Sequence, residues 1–452
     1  MVGPFYPPGI RPATAPPRFP FYLPKLLSNN IAMIPERAYY EPLVLAPGPP
    51  RMAFFTGPEA VKAILHSRAA EFPKGALQND VLRPLLGSAM ITSEGEQWRW
   101  QRSATAPLFR HEEILRYGPV MTEAAEAAVE RWQQDGGQAP RLIHRDMLRA
   151  AFDVISRTML TAGAPELINA IERGHARYFQ AVNWWITYRL LGLPRWMPRP
   201  GKRAMQSHEG NLRGDAFRAI VERDHATAGG GKDLLSRLAC STDPETGQAM
   251  PTELVADNIA AFLVAGYDTT ALTLTWSLYL LSQSPEWSER IREEVIRVAG
   301  SGPVTSAHVA SLPIVQQVVN ESLRLYPTAP IIVRDIVEDT EIGGVIIRGG
   351  TIGFIPIYAI HRHRANWSDP DRFDPDRFAP DAAKPSRYKF LPFGAGPRIC
   401  IGAAFAVIEA TIMLATFLRA ARFELAAGSD PRPSGRTFLR PQSELRMIVT
   451  TR

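Results

Sequence analysis

The segment from Phe393 to Gly402, FGAGPRICIG, contains the residue types of a thiolate metal site. Cys400, one of only two cysteines, lies in it among three glycines and a proline, directly before an apolar helical stretch. Glycines let the backbone approach a flat ligand closely, and the N-terminus of a following helix favours a thiolate. Thiolate sulfur can hold haem iron axially and promotes O–O cleavage. The segment therefore indicates a haem-thiolate site, with an inert buried thiol as the alternative.

Two of the same glycines, Gly394 and Gly396, also imitate part of a dinucleotide-binding fingerprint. No third glycine stands at position 399, and Pro397 lies where the phosphate-binding turn would run. The dinucleotide interpretation therefore fails.

An apolar stretch of 23 residues, from Ile259 to Leu281, carries Asp268 as its only charge. Within it, Gly266 weakens the helix, and a threonine hydroxyl can bond back to a carbonyl one turn earlier. A helix distorted in this way over a haem could make room for dioxygen and water, with Asp268 and Thr269 relaying protons to the distal oxygen. The alternative is that Thr269 and the adjacent Thr270 only satisfy themselves against the helix backbone.

These two segments resemble motifs of the cytochrome P450 family. The spacing of Phe393, Gly396, Arg398, Cys400 and Gly402 is similar to its haem-binding signature, and residues 265–270 are similar to its oxygen-activating motif. The resemblance covers roughly residues 30–452 and implies haem b with Cys400 as its axial ligand. It implies that Phe393, Arg398 and Gly402 contact the cofactor. It also implies a mainly α fold with small β-sheets, in a single large cytochrome P450-like domain that holds haem between a long central helix and the Cys-loop and C-terminal helix.

Glu321 and Arg324 are spaced so that they share one face of a helix and can pair. Most such pairs lie at the surface, but the apolar residues of this helix indicate partial burial. The pair resembles the Glu-x-x-Arg pair of the family, whose third member is the arginine of FDPDRF, here Arg377. Asp376 in that segment replaces the commoner glutamate. The network is expected to retain haem and stabilise the Cys400 loop, and removal of one buried partner would cost about 3–5 kcal/mol.

Haem propionates need cationic or hydrogen-bonding partners. Trp98 and Arg102 lie four residues apart on a predicted helix and match the Trp-x-x-x-Arg motif of the family. Arg334 and Arg398 match two further propionate arginines. For each of these arginines the alternative is a solvated surface residue.

The resemblance assigns the substrate pocket to a loop over 73–91, the central helix, a turn over 328–332 and a strand turn near 437–438. The pocket residues are predicted to be Ala261, Ala265, Thr328, Ala329, Ile331, Ile332, Thr437 and Phe438. Because they are small or apolar, an apolar substrate is expected, and fatty acids, terpenoids and aromatic compounds all remain open. The aromatic-rich segment 178–196 would form a lid over the access channel or contribute ordinary core aromatics.

The elements that must position these residues are mostly helices. Apolar periodicity predicts them over 57–70, 95–117, 119–134, 145–161, 252–283, 285–299, 311–325 and 401–421. Strand-like pieces cluster over 41–55, 331–357 and 421–451. The segment 359–400 lacks a steady period and is expected to be a packed, functional loop. Within it, the pair His361 and His363 has no matching metal ligands nearby, so we expect a packing or surface role.

The domain prediction is a proline-rich N-terminal arm over 1–25 followed by a haem-thiolate monooxygenase domain over 26–452. Eight prolines in the first 25 residues favour an extended, poorly ordered arm over a signal peptide or membrane anchor. The stretch Ile259–Leu281 is long enough to span a bilayer. However, its four threonines and aspartate favour a buried core helix.

The composition excludes several other classes of function. Two cysteines 160 positions apart give neither a disulfide framework nor a zinc site, which favours a reducing cytoplasm. A net charge of +6 without long runs of Lys or Arg argues against nucleic-acid binding. With about 50 residues after Cys400, no flavin or iron–sulfur domain is expected there, so a separate ferredoxin or flavodoxin with its reductase is implied. Basic residues that would suit such an acidic carrier are Arg99, Arg110, Lys384, Arg387 and Lys389.

The sequence thus predicts a soluble, monomeric, bacterial-type monooxygenase that inserts one oxygen atom of O2 into an apolar organic substrate, by hydroxylation or epoxidation. A relative that uses peroxide or isomerises its substrate is the first alternative, and Asp268–Thr269 argues against it. A non-catalytic haem sensor is the second, because it would keep Cys400 but would not need an acid–alcohol pair on the distal side.

Overall fold

A computed structural model describes residues 3–14, 29–46, 48, 50–136, 139–159, 184–188, 193, 197–198, 234–243, 246–435 and 437–452. Within them the helices follow the apolar periodicity of the sequence, and most bury one face. They are α1 (Pro58–Lys62), α2 (Ala76–Leu86), α3 (Gly95–Thr105), α4 (His111–Leu115), α5 (Gly118–Gln134), α6 (Ile143–Met159), α7 (Leu234–Ala239), α8 (Thr252–Ser282), α9 (Pro285–Ala299), α10 (Pro313–Leu325), α11 (Ile357–Ile360) and α12 (Ala403–Ala420).

The strands form small sheets at the margin of the helices. They are β1 (Leu43–Ala46), β2 (Met52–Phe55), β3 (Arg141–Leu142), β4 (Ile332–Ile336), β5 (Thr340–Ile342), β6 (Val345–Ile347), β7 (Thr351–Ile355), β8 (Ala421–Leu425), β9 (Pro433–Gly435), β10 (Leu439–Pro441) and β11 (Arg446–Thr451). One sheet has the order β1-β2-β7-β4, in which only β2 and β7 run parallel. A second has the order β3-β11-β8, and β5-β6 and β9-β10 are hairpins.

The centre of the fold is α8, a helix of 31 residues that is buried on nearly all sides. It packs against α6, α10 and α12, and Trp276 stacks on Tyr326 with ring centroids 3.9 Å apart. This burial explains why the stretch predicted as a core helix is apolar all round. Among the described residues, α12 is the helix long and apolar enough to cross a membrane, and 67% of its apolar window is buried in the fold. The mainly α architecture with small sheets is confirmed.

Residues 3–14 of the N-terminal arm form no helix and make hydrogen bonds to the rest of the fold. Phe5 accepts a hydrogen bond from the backbone of Phe373 at 3.0 Å, and Pro8 accepts one from the Tyr326 hydroxyl at 2.9 Å. Because prolines lack N–H donors, the arm cannot satisfy its carbonyls within itself, and they accept from partners elsewhere in the fold. Residues 15–28 lie outside the described part of the chain.

Two other boundaries differ from the prediction. The region 73–91 is not a loop throughout, because 76–86 form α2, where Leu77, Val81 and Leu85 recur every four residues and are buried. The helix predicted over 95–117 is divided into α3, a 3₁₀ turn over 106–109 and α4. Pro107 lies in that turn, and its missing N–H favours the interruption.

Candidate functional site

The Cys400 loop is a tight turn held by its own backbone. Cys400 donates its N–H to Phe393 at 3.0 Å, and Gly394 donates to Leu391 at the same distance. Gly394 and Gly396 both have φ near 75°. A Cβ on Gly396 would lie 1.7 Å from the carbonyl oxygen of Leu65. This close approach of two backbones explains the glycine at position 396.

Cys400 is exposed as a residue, although protein atoms surround its thiol closely enough to raise the pKa of that group. The backbone N–H of Gly402 and the guanidinium of Arg102 act in the opposite direction. Burial outweighs the helix N-terminus, so the helix effect predicted from the sequence is present but does not dominate. Burial thus favours the neutral thiol, and a metal bound to the sulfur would favour the thiolate.

A cationic cluster formed by Lys74, Arg334 and Arg398 lies beside this loop. Arg398 donates to the Phe72 carbonyl at 3.1 Å, forms an ion pair with Glu94, and lies 5.7 Å from the Trp98 ring centroid. Burial, reinforced by Arg398, lowers the pKa of Arg334 to about 10.

Lys74 of this cluster donates to the carbonyls of Met90 and Ser93 at 2.8 and 2.7 Å. Burial lowers its pKa to about 7, and Arg398 and Arg334 contribute in the same direction. The cluster thus concentrates positive charge in a partly desolvated place.

Haem b fits these residues. Cys400 offers a sulfur ligand. Among the described residues, Glu94 is the carboxylate that interacts with the cationic cluster. Two propionates would supply the missing negative charge. Trp98, Arg334 and Arg398 therefore lie together as predicted, and Arg102, one helical turn after Trp98, lies near the thiol. Their roles as cofactor contacts stay predictions. No neighbour within 4 Å explains a glycine at Gly402.

The central helix exposes one face in the middle of its buried run. Ala265 is exposed, and Phe262, Gly266 and Thr269 are partly accessible on the same side. The Thr269 hydroxyl donates to the carbonyl of Ala265 at 2.7 Å and approaches that of Gly266 at 3.3 Å. The Thr269 hydroxyl thus bonds to the backbone of its own helix, which is the alternative role considered for it. This bond keeps the hydroxyl on the accessible face, where its oxygen can also accept a hydrogen bond.

Asp268 lies on a different side of the helix and is almost fully buried. Its carboxylate forms an ion pair with Arg440 of β10, and His144 Nε2 lies 3.9 Å from its Oδ1. Burial lowers the pKa of His144 to about 4, although Asp268 acts to raise it. His144 is therefore neutral near pH 7, and Arg440 is the charged partner.

A second carboxyl, Glu409 of α12, lies beneath the next residue of the motif. The Thr270 hydroxyl approaches Glu409 Oε2 at 3.4 Å, and no described hydrogen-bond partner reaches Oε1. Burial raises the pKa of Glu409 to about 8, so this side chain carries a proton near neutral pH.

The network predicted around Glu321 and Arg324 is fully enclosed. Arg324 donates to both carboxylate oxygens of Glu321, at 2.6 and 2.7 Å. It also donates to the carbonyls of His361, Pro370 and Arg372. Burial raises the pKa of Glu321, and Arg324 opposes that shift. This pair ties α10 to the segment before the Cys400 loop.

The predicted third member, Arg377, contributes less to this network. Its Nε lies 3.8 Å from Glu321, and its firmer contact is a hydrogen bond to the Asp369 carbonyl at 2.8 Å. Asp376 lies at the surface and pairs with Arg290 at 3.4 Å. The replacement of the commoner glutamate at 376 is therefore a change at an exposed position.

The predicted pocket residues come from segments that the structure brings together. Leu439 donates its N–H to Thr328 at 3.0 Å and accepts from the Trp276 indole at 3.0 Å. The hairpin turn with Thr437 and Phe438 is thereby joined to the turn over 328–332.

The accessibility of the predicted pocket residues varies. Ala265 and Ala329 are exposed, Ile331 and Ile332 are partly accessible, and Ala261 and Thr328 are buried. Their role in a pocket stays a prediction. In the segment 178–196, Tyr178, Phe179 and Trp196 lie outside the described residues, whereas Trp184 is exposed and Tyr188 donates to the Pro198 carbonyl.

Several residues of the site have no signal in the sequence motifs. They are Lys74, Glu94, His144, His361, Glu409 and Arg440. Most reach the site from distant positions, such as Arg440, which is 172 residues from Asp268. The exception is Glu409, which follows the Cys400 loop on an apolar helix, where a lone carboxyl could have been flagged as buried.

Comparison with known proteins gives one consistent family. The family model described as cytochrome P450 matches residues 26–449. A cytokinin hydroxylase from Arabidopsis thaliana is 31% identical over 421 residues, which cover 88% of this chain and 79% of that protein. Cyclooctat-9-en-7-ol 5-monooxygenase from Streptomyces melanosporofaciens is 32% identical over 371 residues, covering 82% of this chain and 79% of the relative.

A solved structure gives the same result for the fold. The haem domain of cytochrome P450DA superimposes with a TM-score of 0.83 at 25% identity, and the match covers 98% of both chains.

Proposed function

Because this chain belongs to the cytochrome P450 family of haem-thiolate monooxygenases, we propose that it inserts one oxygen atom of O2 into an apolar organic substrate. The product would be an alcohol or an epoxide. The observation that carries this proposal is the acid–alcohol pair of the central helix. Thr269 lies on the accessible face beside Ala265, and Asp268 is held behind it by Arg440.

Haem, when bound, supplies the iron at which O2 is activated. Cys400 donates its sulfur to that iron, and the cationic cluster with Trp98 and Arg102 binds the propionates. Gly394 and Gly396 hold the loop in the conformation that presents the sulfur. Excess positive charge around the propionates also favours the bound cofactor over the free one.

Proton supply is the task that this chain's own residues must perform. The Thr269 hydroxyl can turn from the Ala265 carbonyl and pass its proton to the accessible side of the helix, while it accepts a hydrogen bond from water there. Asp268 can take up a proton from solvent beside its part-exposed partner Arg440 and return it to that water, which restores the carboxylate. His144 lies close to the same carboxylate. Because its imidazole stays neutral, it forms no second ion pair with Asp268 beside that of Arg440.

The substrate is proposed to be apolar, since the accessible residues Ala265 and Ala329 and the neighbouring Ile331 and Ile332 offer no charge. Small side chains at the first two positions would leave room for a bulky ring system close to the iron. The Streptomyces relative is a monooxygenase named for cyclooctat-9-en-7-ol, an unsaturated cyclic alcohol. Among fatty acids, terpenoids and aromatic compounds, this favours terpenoids as the first class to test.

Electrons are proposed to come from a separate acidic carrier, either a ferredoxin or a flavodoxin with its reductase. Arg99, Arg110, Lys384 and Arg387 are exposed and Lys389 is partly exposed, and none of them forms an ion pair with a described carboxylate. Such a face would bind an acidic protein in a salt-sensitive way. We also propose a monomeric enzyme of the cytoplasm, since two unpaired cysteines suit a reducing compartment.

The test is turnover of the holoprotein with a surrogate ferredoxin and reductase, after a panel of apolar compounds has been screened for substrate-induced spectral shifts. Thr269→Ala should divert most electrons from product to peroxide, and Thr269→Ser should restore product. Ser277→Ala is the matched control, because Ser277 makes the same kind of backbone bond two turns further along the helix. Unchanged coupling in Thr269→Ala would remove Thr269 from the mechanism. Efficient product formation with peroxide alone would instead favour a peroxide-using enzyme.

A further inference from the structure

We propose that His361 is a positioning residue that connects the buried Glu321–Arg324 pair to the Cys400 loop and thereby holds the thiolate ligand in place. The proposal concerns the ligand and not the substrate. It therefore stands or falls independently of the reaction proposed above.

The first half of the connection runs from Arg324 to His361. The Arg324 guanidinium donates to the His361 carbonyl at 2.9 Å, and His361 Nδ1 lies 3.2 Å from the Arg324 carbonyl. The two residues thus bond through both side chain and backbone. Arg324 in turn is fixed by Glu321, so His361 is attached to an ion pair whose two side chains are both fully enclosed.

The second half runs from His361 to the loop. Leu391 donates its N–H to His361 Nε2 at 3.0 Å, and the Leu391 carbonyl accepts from Gly394 at 3.0 Å. Two residues after Leu391, the Phe393 carbonyl accepts from the N–H of Cys400. The imidazole is therefore the side chain that anchors the start of the ligand loop to α10.

Only one form of the imidazole can make both side-chain bonds. Nε2 must be unprotonated to accept from Leu391, and Nδ1 must carry the proton to donate to Arg324. Burial, together with Arg324 and Arg362, lowers the pKa of His361 to about 3, so the ring is neutral near pH 7. A histidine fits this position because it offers a donor and an acceptor on opposite sides of a rigid ring.

Packing alone is the competing explanation. The His361 ring lies 5.2 Å from the Phe390 ring, and a filler residue would need nothing more. The neighbouring His363 is also buried. However, it bonds to Glu41 and Ala365 and has no bond to the ligand loop. The two histidines therefore provide a matched pair for the experiment.

The experiment compares His361→Asn, His361→Gln and His363→Asn in the haem-loaded protein. Asn can replace Nδ1 and keep the bond to Arg324, whereas Gln can reach the place of Nε2 and keep the acceptor for Leu391. The measurement is the rate at which the reduced carbon monoxide complex loses its thiolate-type Soret band under mild denaturant. Thermal unfolding followed by circular dichroism reports any global loss of stability.

We expect His361→Asn to lose the thiolate band about tenfold faster than the wild type, because it leaves a buried N–H without an acceptor. His361→Gln and His363→Asn should stay within about threefold. Equal rates in the two His361 variants, including equal failure to incorporate haem, would overturn the proposal. A rate for His361→Asn no faster than that of His363→Asn would also overturn it.

Discussion

Two buried carboxylates of this molecule are paired with arginine, and the pairs differ in how completely they are enclosed. Glu321 and Arg324 are both 0% exposed and bond through both carboxylate oxygens. Asp268 is 1% exposed, but the side chain of its partner Arg440 is 36% exposed. The first pair is closed to solvent, and the second has one end in contact with it.

The difference explains how the two pairs can serve different purposes. A closed pair with every donor used cannot exchange protons or change partners without breaking several hydrogen bonds, so it suits a rigid anchor. In the second pair the arginine stays hydrated when the pair opens, so Asp268 can change partners more readily than Glu321, although its carboxylate is itself buried. We therefore interpret Glu321–Arg324 as the support of the thiolate loop and Asp268–Arg440 as part of proton delivery.

Arg324→Met should produce the largest effect, because it leaves Glu321 buried without a charge partner. The expected loss is about 3–5 kcal/mol in the free energy of unfolding, together with poor haem retention. Denaturant titration and the ratio of haem to protein measure both. Arg348→Met is the control, because Arg348 pairs with Asp339 at the surface and should cost less than about 1 kcal/mol. Similar losses in the two variants would contradict a special role for the closed pair.

Asp268→Asn should affect turnover more than structure. The amide has nearly the same shape but cannot donate the replacement proton, so kcat should fall about 100-fold. The thiolate band and haem content should stay near those of the wild type. Steady-state kinetics with the carbon monoxide spectrum of the same preparation measures both quantities. A parallel loss of haem would mean that Asp268 supports the fold instead.

Arg440→Gln tests the open end of the second pair. Removal of the charge should favour the protonated form of Asp268 and slow proton supply, lowering kcat about tenfold and enlarging the solvent deuterium isotope effect. The cost in stability should be about 1–3 kcal/mol, less than for Arg324→Met, because Asp268 is buried but the glutamine can still donate a hydrogen bond to it. Arg432→Gln is the control from the same hairpin, since Arg432 pairs with Asp430 at the surface. An unchanged isotope effect would exclude Arg440 from proton delivery.

Glu409 provides the smallest test and a contrast to both pairs, because this buried carboxyl is kept neutral without an arginine. Its pKa is raised from 4.5 to about 8 in the folded protein. The folded state thus keeps a proton that the unfolded state releases between these values. Stability should therefore fall as pH rises through that window. Glu409→Gln removes this dependence.

We compare the free energy of unfolding of Glu409→Gln with that of the wild type at each pH. The difference in favour of the variant should increase by about 1 kcal/mol between about pH 6 and about pH 7. Denaturant titrations at the two pH values measure it. A gain independent of pH would mean that Glu409 is ionised in the folded state.

The sequence predicted the parts of the site that depend on local spacing. Glu321 and Arg324 are one helical turn apart, and the glycines of the Cys400 loop lie next to the cysteine they serve, so both could be found from neighbouring residues. Trp98 and Arg102 were found in the same way. The long apolar run of α8 also sufficed to predict a buried central helix.

The parts that the sequence did not predict depend on contacts between distant segments. Arg440 meets Asp268 only after the C-terminal hairpin has packed against α8, and His361 meets Leu391 only across the irregular segment before Cys400. The helix at 76–86 was not predicted within the loop over 73–91, because Pro84 interrupts its apolar periodicity. The contacts of residues 3–14 could not be predicted, because their partners Phe373 and Tyr326 lie more than three hundred residues away.

The most direct test of the division between the two pairs is a side-by-side comparison of Arg324→Lys and Arg440→Gln at equal protein concentration. For each variant, the thiolate-type Soret band per protein and the product formed per electron consumed are measured on one preparation. We predict that Arg324→Lys loses the band and that its remaining haem-loaded fraction couples normally. Arg440→Gln should keep the full band and lose coupling. Loss of the thiolate band in Arg440→Gln, or normal coupling with the full band in both variants, would contradict the account.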